Sequence, residues 1–129
     1  MEATQYPTFL GEVVHGTETG RTLGFPTANV KPATDSFPKD GVYLAQTQID
    51  NLFYYGIMSI GNRPTFDAEI RTIEVHLLDF SGDLYQQTLA IKPLFRIRDN
   101  KKFENTDSLK QQLQNDKDFA LQYLRDLRF

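Results

Sequence analysis

Ile70-Arg71-Thr72-Ile73-Glu74-Val75-His76-Leu77-Leu78-Asp79-Phe80 is the stretch whose pattern decides the fold class. Ile73, Val75 and Leu77 share one face at a period of two residues, and Glu74 and His76 share the other, the alternation of a half-buried strand. Ser81-Gly82-Asp83 then reads as a turn, and Leu84 to Phe95 returns as a strand carrying Leu89, Ile91 and, after Pro93, Phe95. Upstream, Val42 to Ile49 follows the turn signal Lys39-Asp40-Gly41 and pairs as a hairpin with Phe53 to Ile60 across Asp50-Asn51. Phe9 to Val14 is a further short strand, and His15 to Lys31, rich in Gly, Thr and Pro, reads as a long loop. From Thr106 the period changes. Leu109, Leu113, Ala120, Leu124 and Leu127 recur at helical spacing behind a cap at Thr106 or Asp107, with Asn115-Asp116 a point at which the helix could divide. Five or six strands closed by a terminal helix predict a mainly β chain: an antiparallel barrel with a helix packed on its side.

Composition narrows the class of function. A chain of 129 residues, 40% hydrophobic and 24% charged, is long and apolar enough to bury one core, and a single domain over residues 1–129 is expected. A net charge of −3 lacks the basic footprint of a duplex nucleic-acid binder, so no nucleic-acid partner is expected. The absence of cysteine removes disulfides, thiolate metal sites and cysteine nucleophiles, and two histidines are little material for a metal cage. The longest apolar stretch, Leu52 to Ile60, is far short of the ~20 residues of a membrane helix, so no membrane partner is expected. Met1-Glu2-Ala3-Thr4-Gln5 lacks the basic-then-apolar pattern of a secretory signal, and the expected location is the cytoplasm.

Two segments carry the chemistry. In the first, Gly11, Gly16, Gly20 and Gly24 punctuate a run that ends Pro26-Thr27-Ala28-Asn29. Glycines let backbone approach a bound group closely, and Arg21 adds a planar cationic fork suited to phosphate oxygens. Thr27 and Asn29 are two residues apart, so in an extended segment both face one way and present the oxygen donors that Mg²⁺ prefers. The spacing is not that of a Walker loop. The same residues also read as a hairpin loop whose Thr and Asn satisfy local backbone groups. The second segment is Glu74, a carboxylate inside an apolar strand, which either meets a substrate or merely faces water; His76 on the same face carries the same two readings.

Taken together these segments strongly resemble the riboflavin kinase (flavokinase) family. The resemblance is carried by Gly24-Phe25-Pro26-Thr27-Ala28-Asn29, Gly41-Val42-Tyr43, Ile60-Gly61-Asn62-Arg63-Pro64-Thr65-Phe66, Glu74 to Phe80, Asp83-Leu84-Tyr85 and Arg96-Ile97-Arg98-Asp99-Asn100-Lys101-Lys102-Phe103. It implies a six-stranded antiparallel Greek-key barrel, spanning about residues 9–95, with a helical segment over about 106–128. It also implies transfer of the ATP γ-phosphate to riboflavin, giving FMN and ADP, with Mg²⁺ or a similar divalent cation. By the same resemblance Glu74 is the catalytic carboxylate, and Thr27 and Asn29 hold the metal. Gly16, Arg21, Thr27, Leu77, Asp79 and Tyr85 contact the nucleotide, the strand-end residues partly through backbone. Arg98, Lys101 and Phe103 lie on the flavin side. The family includes both free-standing kinases and modules of a larger bifunctional chain with an FMN adenylyltransferase domain. No paired-histidine motif of such an adenylyltransferase occurs here, so the chain is expected to make FMN and stop. The competing readings are a barrel that binds a ligand or a single nucleic-acid strand, and a flavin binder without catalysis. Thr27, Asn29 and Glu74 together argue against a mere binder, which needs neither a metal pair nor a base.

Overall fold

Strand alternation around Glu74 is realised in the structure. The computed structural model describes residues 6–14, 27–64, 69–80 and 82–126. Six strands, β1 (Phe9–Val14), β2 (Ala28–Pro32), β3 (Gly41–Ile49), β4 (Leu52–Pro64), β5 (Glu69–Leu77) and β6 (Thr88–Arg98), precede a helix, α1 (Thr106–Asp126). All pairings are antiparallel and close a barrel in the order β1-β2-β5-β4-β3-β6. The hairpin-connected strands β3, β4 and β5, with β6 returning to lie beside β3, make a Greek key. The interior is filled by alternate residues of every strand, among them Phe9, Val13, Val30, Tyr43, Met58, Ile73, Val75, Leu89 and Ile91.

Several boundaries differ from the sequence expectation. The long loop ends earlier than Lys31, because Ala28–Pro32 forms β2; Val30 is its one buried residue, too few to show an alternation. Residues 84–87 do not join β6. Gln86 has φ 70°, its N–H donates to the Val13 carbonyl, and Leu84 folds into the interior instead. At the other end β6 runs past Pro93 to Arg98, with register shifts against β3 that absorb the proline. The helix cap is Asn105, whose Oδ1 accepts the Ser108 N–H at 2.8 Å, rather than Thr106 or Asp107. Nor does Asn115-Asp116 divide the helix. Gln111 and Gln112 each donate to the residue four positions on, Asn115 and Asp116, and the helix continues unbroken.

A second apolar cluster lies outside the barrel. Val42, Leu44 and Ile57 on the outer wall pack with Leu78 and with Ala120, Leu124 and Tyr123 of α1, and Phe95 lies 5.0 Å from the Tyr123 ring. This explains why Gly41–Ala45 is buried on both faces, where a strand of a barrel in water would alternate. The 33–40 segment is clamped beside the start of β3. Arg71 pairs with Asp40 and lies over the Phe37 ring, and Arg96 donates to the Asp40 carbonyl. Gly41 has φ 154°, and a Cβ there would lie 2.7 Å from the Arg96 guanidinium. Tyr43, which donates to the Lys39 carbonyl, has its phenol pKa raised by burial.

Inside the barrel one polar atom stands out: Thr47 is fully buried and its Oγ1 has no hydrogen-bond partner. Replacing the hydroxyl with a methyl removes an unsatisfied group at constant shape. Thr47→Val is therefore expected to raise stability by about 1 kcal/mol in urea unfolding, and a loss of stability would contradict the interior placement of an unpaired hydroxyl.

Candidate active site

Register alone assembles the site. Residues directly opposite each other on antiparallel strands share a face of the sheet. Asn29 lies opposite Glu74, Glu74 opposite Ser59, Ser59 opposite Val42, and Val42 opposite Arg98. A single outward-facing row thus crosses β2, β5, β4, β3 and β6. The next row runs from His76 through Ile57 and Leu44 to Phe95. Since Ile73, Val75 and Leu77 fill the interior, Glu74 and His76 have to face outward.

The helix converts this outer face into a slot. A cavity of ≈ 270 Å³ has Thr27, Val42, Ile57, Ser59, Glu74 and His76 as its barrel wall, and Leu109, Leu113 and Asp116 of α1 opposite them. Arg98, Lys101 and Phe103, from the strand end and the connection to α1, complete the lining. The polarity is graded. Carboxylate, imidazole and two hydroxyls stand on the β2/β5/β4 side, and Val42, Ile57, Phe103, Leu109 and Leu113 provide apolar surface. Arg98, Lys101 and Asp116 supply a second polar group. Glu74 and Arg98 are three strands apart along one row, roughly 14 Å at a strand spacing of ~4.8 Å.

The second polar group is a hydrogen-bonded network. Arg98 grips Asp116 with a two-pronged fork, Nε to Oδ1 at 2.9 Å and Nη2 to Oδ2 at 2.8 Å, and its Nη1 donates to the Asp99 carbonyl at 2.9 Å. Gln112 Nε2 also donates to Asp116 Oδ1 at 2.9 Å, and Lys101 Nζ donates to Gln112 Oε1 at 3.0 Å. Asn100 Nδ2 donates to the Ile60 carbonyl at 2.7 Å and ties the same segment to β4. Asp116 is 2% exposed and Arg98 17%, so the pair sits in a low-dielectric place where its geometry counts.

Of the residues expected from the sequence, Thr27, Glu74, Arg98, Lys101 and Phe103 share the cavity, and Asn29 is the register neighbour of Glu74. Leu77, the last residue of β5, points into the barrel interior and does not line the slot. Asp79 occupies the following turn at φ 56°, and Tyr85 is exposed with its N–H on Asp83 Oδ1; neither lines the slot. Gly16 and Arg21 lie outside the described residues. Ser59 and Asp116 were not anticipated. Ser59 emerges only once β4 and β5 are in register. Asp116 did leave a signal: it interrupts the apolar stripe Leu109, Leu113, Ala120 and Leu124 on one helix face, where a carboxylate needs a partner.

Among the described residues no group of three His, Cys, Asp or Glu could cage a metal. A cation here would draw on the hydroxyl of Thr27 and the amide oxygen of Asn29, with its other ligands supplied by a bound anion and water, which suits Mg²⁺.

Residues 3–124 match the family described as Flavokinase: Riboflavin kinase. The chain belongs to the flavokinase family. Among its relatives is the bifunctional riboflavin kinase/FMN adenylyltransferase of Bacillus subtilis (strain 168), 39% identical over 123 residues that make up 92% of this chain and 39% of the relative. The chain therefore spans about two fifths of the length of that relative. A solved riboflavin kinase from Trypanosoma brucei superimposes with a TM-score of 0.65 at 25% identity, covering 95% of this chain and 82% of that one. A Streptococcus pneumoniae crystal structure described as a macrolide-efflux protein shares the fold more closely. Its TM-score is 0.83 at 39% identity, over 88% of this chain and 38% of that one. No helix among the described residues is long and apolar enough to cross a membrane.

The buried fork makes a direct prediction about stability. Arg98→Ala leaves the Asp116 carboxylate buried without its cation, and urea unfolding should show a loss of about 2–3 kcal/mol. A loss below about 0.5 kcal/mol, the range of an ordinary surface substitution, would contradict the pairing.

Proposed function

We propose that this chain transfers the γ-phosphoryl group of ATP to the terminal ribityl hydroxyl of riboflavin, yielding FMN and ADP. The observation that carries the reading is Glu74 on the outer barrel face, between Asn29 and Ser59, in a slot with apolar surface from both barrel and helix, in a member of the flavokinase family. The slot suits a planar heteroaromatic ring system: Val42 and Ile57 on one side, Phe103, Leu109 and Leu113 on the other. Such a ring places its ribityl chain toward β5. Glu74 then accepts the proton of the terminal hydroxyl as that oxygen bonds to the γ-phosphorus, and the bond from the γ-phosphorus to the β–γ bridging oxygen breaks to release ADP.

Thr27 and Asn29 would hold the divalent cation, which when bound neutralises charge on the β- and γ-phosphates. Ser59, opposite Glu74, adds a hydroxyl that can orient the acceptor end. In this reading Gly16 and Arg21 cover the phosphates, and the backbone at Leu77 and Asp79, with Tyr85, meets the rest of the nucleotide. Arg98, Lys101 and Phe103 serve the flavin. Residues 1–129 act as one kinase domain in the cytoplasm, where ATP is supplied. The FMN they make is the substrate of the adenylyltransferase activity that the bifunctional relatives' description names.

The test is chromatographic. With riboflavin, ATP and Mg²⁺ the chain should form FMN and ADP in equal amounts, and Glu74→Gln should lower turnover at least about tenfold while riboflavin affinity, read by flavin fluorescence, changes less than about twofold. No FMN from the unaltered chain would refute the function; full turnover in the variant would refute Glu74 as the base.

A further inference from the structure

The group that the phosphoryl-transfer steps leave unused is Asp116, an almost fully buried carboxylate on α1 that lines the same slot. Its two oxygens are engaged by Arg98 Nε and Nη2 and by Gln112, and the third nitrogen of Arg98 is engaged by the Asp99 carbonyl. The guanidinium therefore spends its forked edge on the protein rather than presenting it to a ligand. Gln112 in turn accepts from Lys101, an ammonium with three donors, one of them used here. The hydrogen bonds from Arg98 and Lys101 to the helix end on this carboxylate and on its glutamine neighbour, and Phe103, which closes the slot, is carried on the same segment.

We propose that Asp116 is a positioning residue for the flavin side of the site. Its carboxylate holds Arg98 and, through Gln112, Lys101, and so sets where residues 98–103 stand over the barrel wall. The inference rests on the riboflavin kinase reading and adds to it a residue that would touch no reacting atom. Because the network lies about three strands from Glu74 along the row, it bears on the ring end of the acceptor and not on the phosphoryl-transfer end. Asp116→Asn keeps the side-chain shape but cannot accept the full two-pronged fork and carries no charge, so the segment loses its anchor on the helix, keeping only its tie to β4 through Asn100, without a cavity being opened.

The test uses steady-state kinetics on the full chain, with circular dichroism and a thermal melt to establish the folded fraction. The unaltered chain must first form FMN; if it does not, the underlying function fails and this inference with it. Given that activity, folded Asp116→Asn should raise the riboflavin KM by about tenfold while the ATP KM and kcat stay within about twofold, a split that a general loss of structure would not produce. The double variant Arg98→Ala/Asp116→Asn should raise the riboflavin KM by clearly less than the product of the two single effects, since Asp116 acts in large part through Arg98. An unchanged riboflavin KM, an equal rise in both KM values, or effects that multiply in the double variant would overturn the proposal. Should Asp116→Asn not fold, Arg98→Lys keeps the charge opposite Asp116 while removing the fork. It should raise the riboflavin KM selectively by severalfold, and no rise there would equally overturn the proposal.

Discussion

Closing six short strands into a barrel commits every second side chain to the interior, and that constraint governs where chemistry can stand in this molecule. The interior is full: Tyr43, Met58, Ile60, Ile73, Leu89 and Ile91 are all but inaccessible. Polar residues at alternate positions therefore have to project outward. On β5 that rule sends Ile73, Val75 and Leu77 inward and Glu74 and His76 outward, and the antiparallel register then brings Asn29 and Ser59 to either side of Glu74. A one-residue slip of β5 would exchange the two faces, burying the carboxylate and exposing three aliphatic side chains. The same hydrophobic alternation that stabilises the barrel thus also holds the site together.

An outward face alone would be only a wetted surface. The helix makes it a slot, because the outer wall at Val42, Leu44 and Ile57 is apolar and demands a cover, which Ala120, Leu124 and Tyr123 supply. The packing leaves room between Leu109 and Leu113 on the helix and the row from Glu74 to Arg98 on the barrel. The Arg98–Asp116 fork closes the far side of that gap and joins strand, connection and helix in one hydrogen-bonded unit. The match to the flavokinase family, over residues 3–124, includes every residue that lines this slot.

Much of this was readable before any coordinates. Strand β5, the β3–β4 hairpin across Asp50-Asn51 and the helix from Thr106 each have a strong local period, and local period is what sequence displays. Glu74 was visible as a charge interrupting an apolar run. What escaped was non-local or short. Strand β2 has one buried side chain and is held by its neighbours' hydrogen bonds, so it looked like loop. The strand pattern of β6 was legible past Pro93 to Phe95, and its last residues, Arg96 to Arg98, were missed because they are held by pairing with β3 across shifts in register. Asn115-Asp116 looked like a break because both residues have low helix propensity. The glutamines one turn earlier and the fork from Arg98 override that preference, and neither can be seen by scanning one segment at a time. Ser59 gained its place only through pairing of β4 with β5.

The proposed orientation puts the ribityl end of the flavin at Glu74 and its ring toward Arg98 and Phe103. A crystal structure of the chain with riboflavin and a non-hydrolysable ATP analogue measures it directly. The terminal ribityl oxygen should lie within about 2.6–3.2 Å of a Glu74 carboxylate oxygen, with the ring between the Val42/Ile57 wall and the Leu109/Leu113 face. A flavin whose ring lies against Glu74 and whose ribityl chain points to Arg98, or one bound outside the slot, would contradict the account.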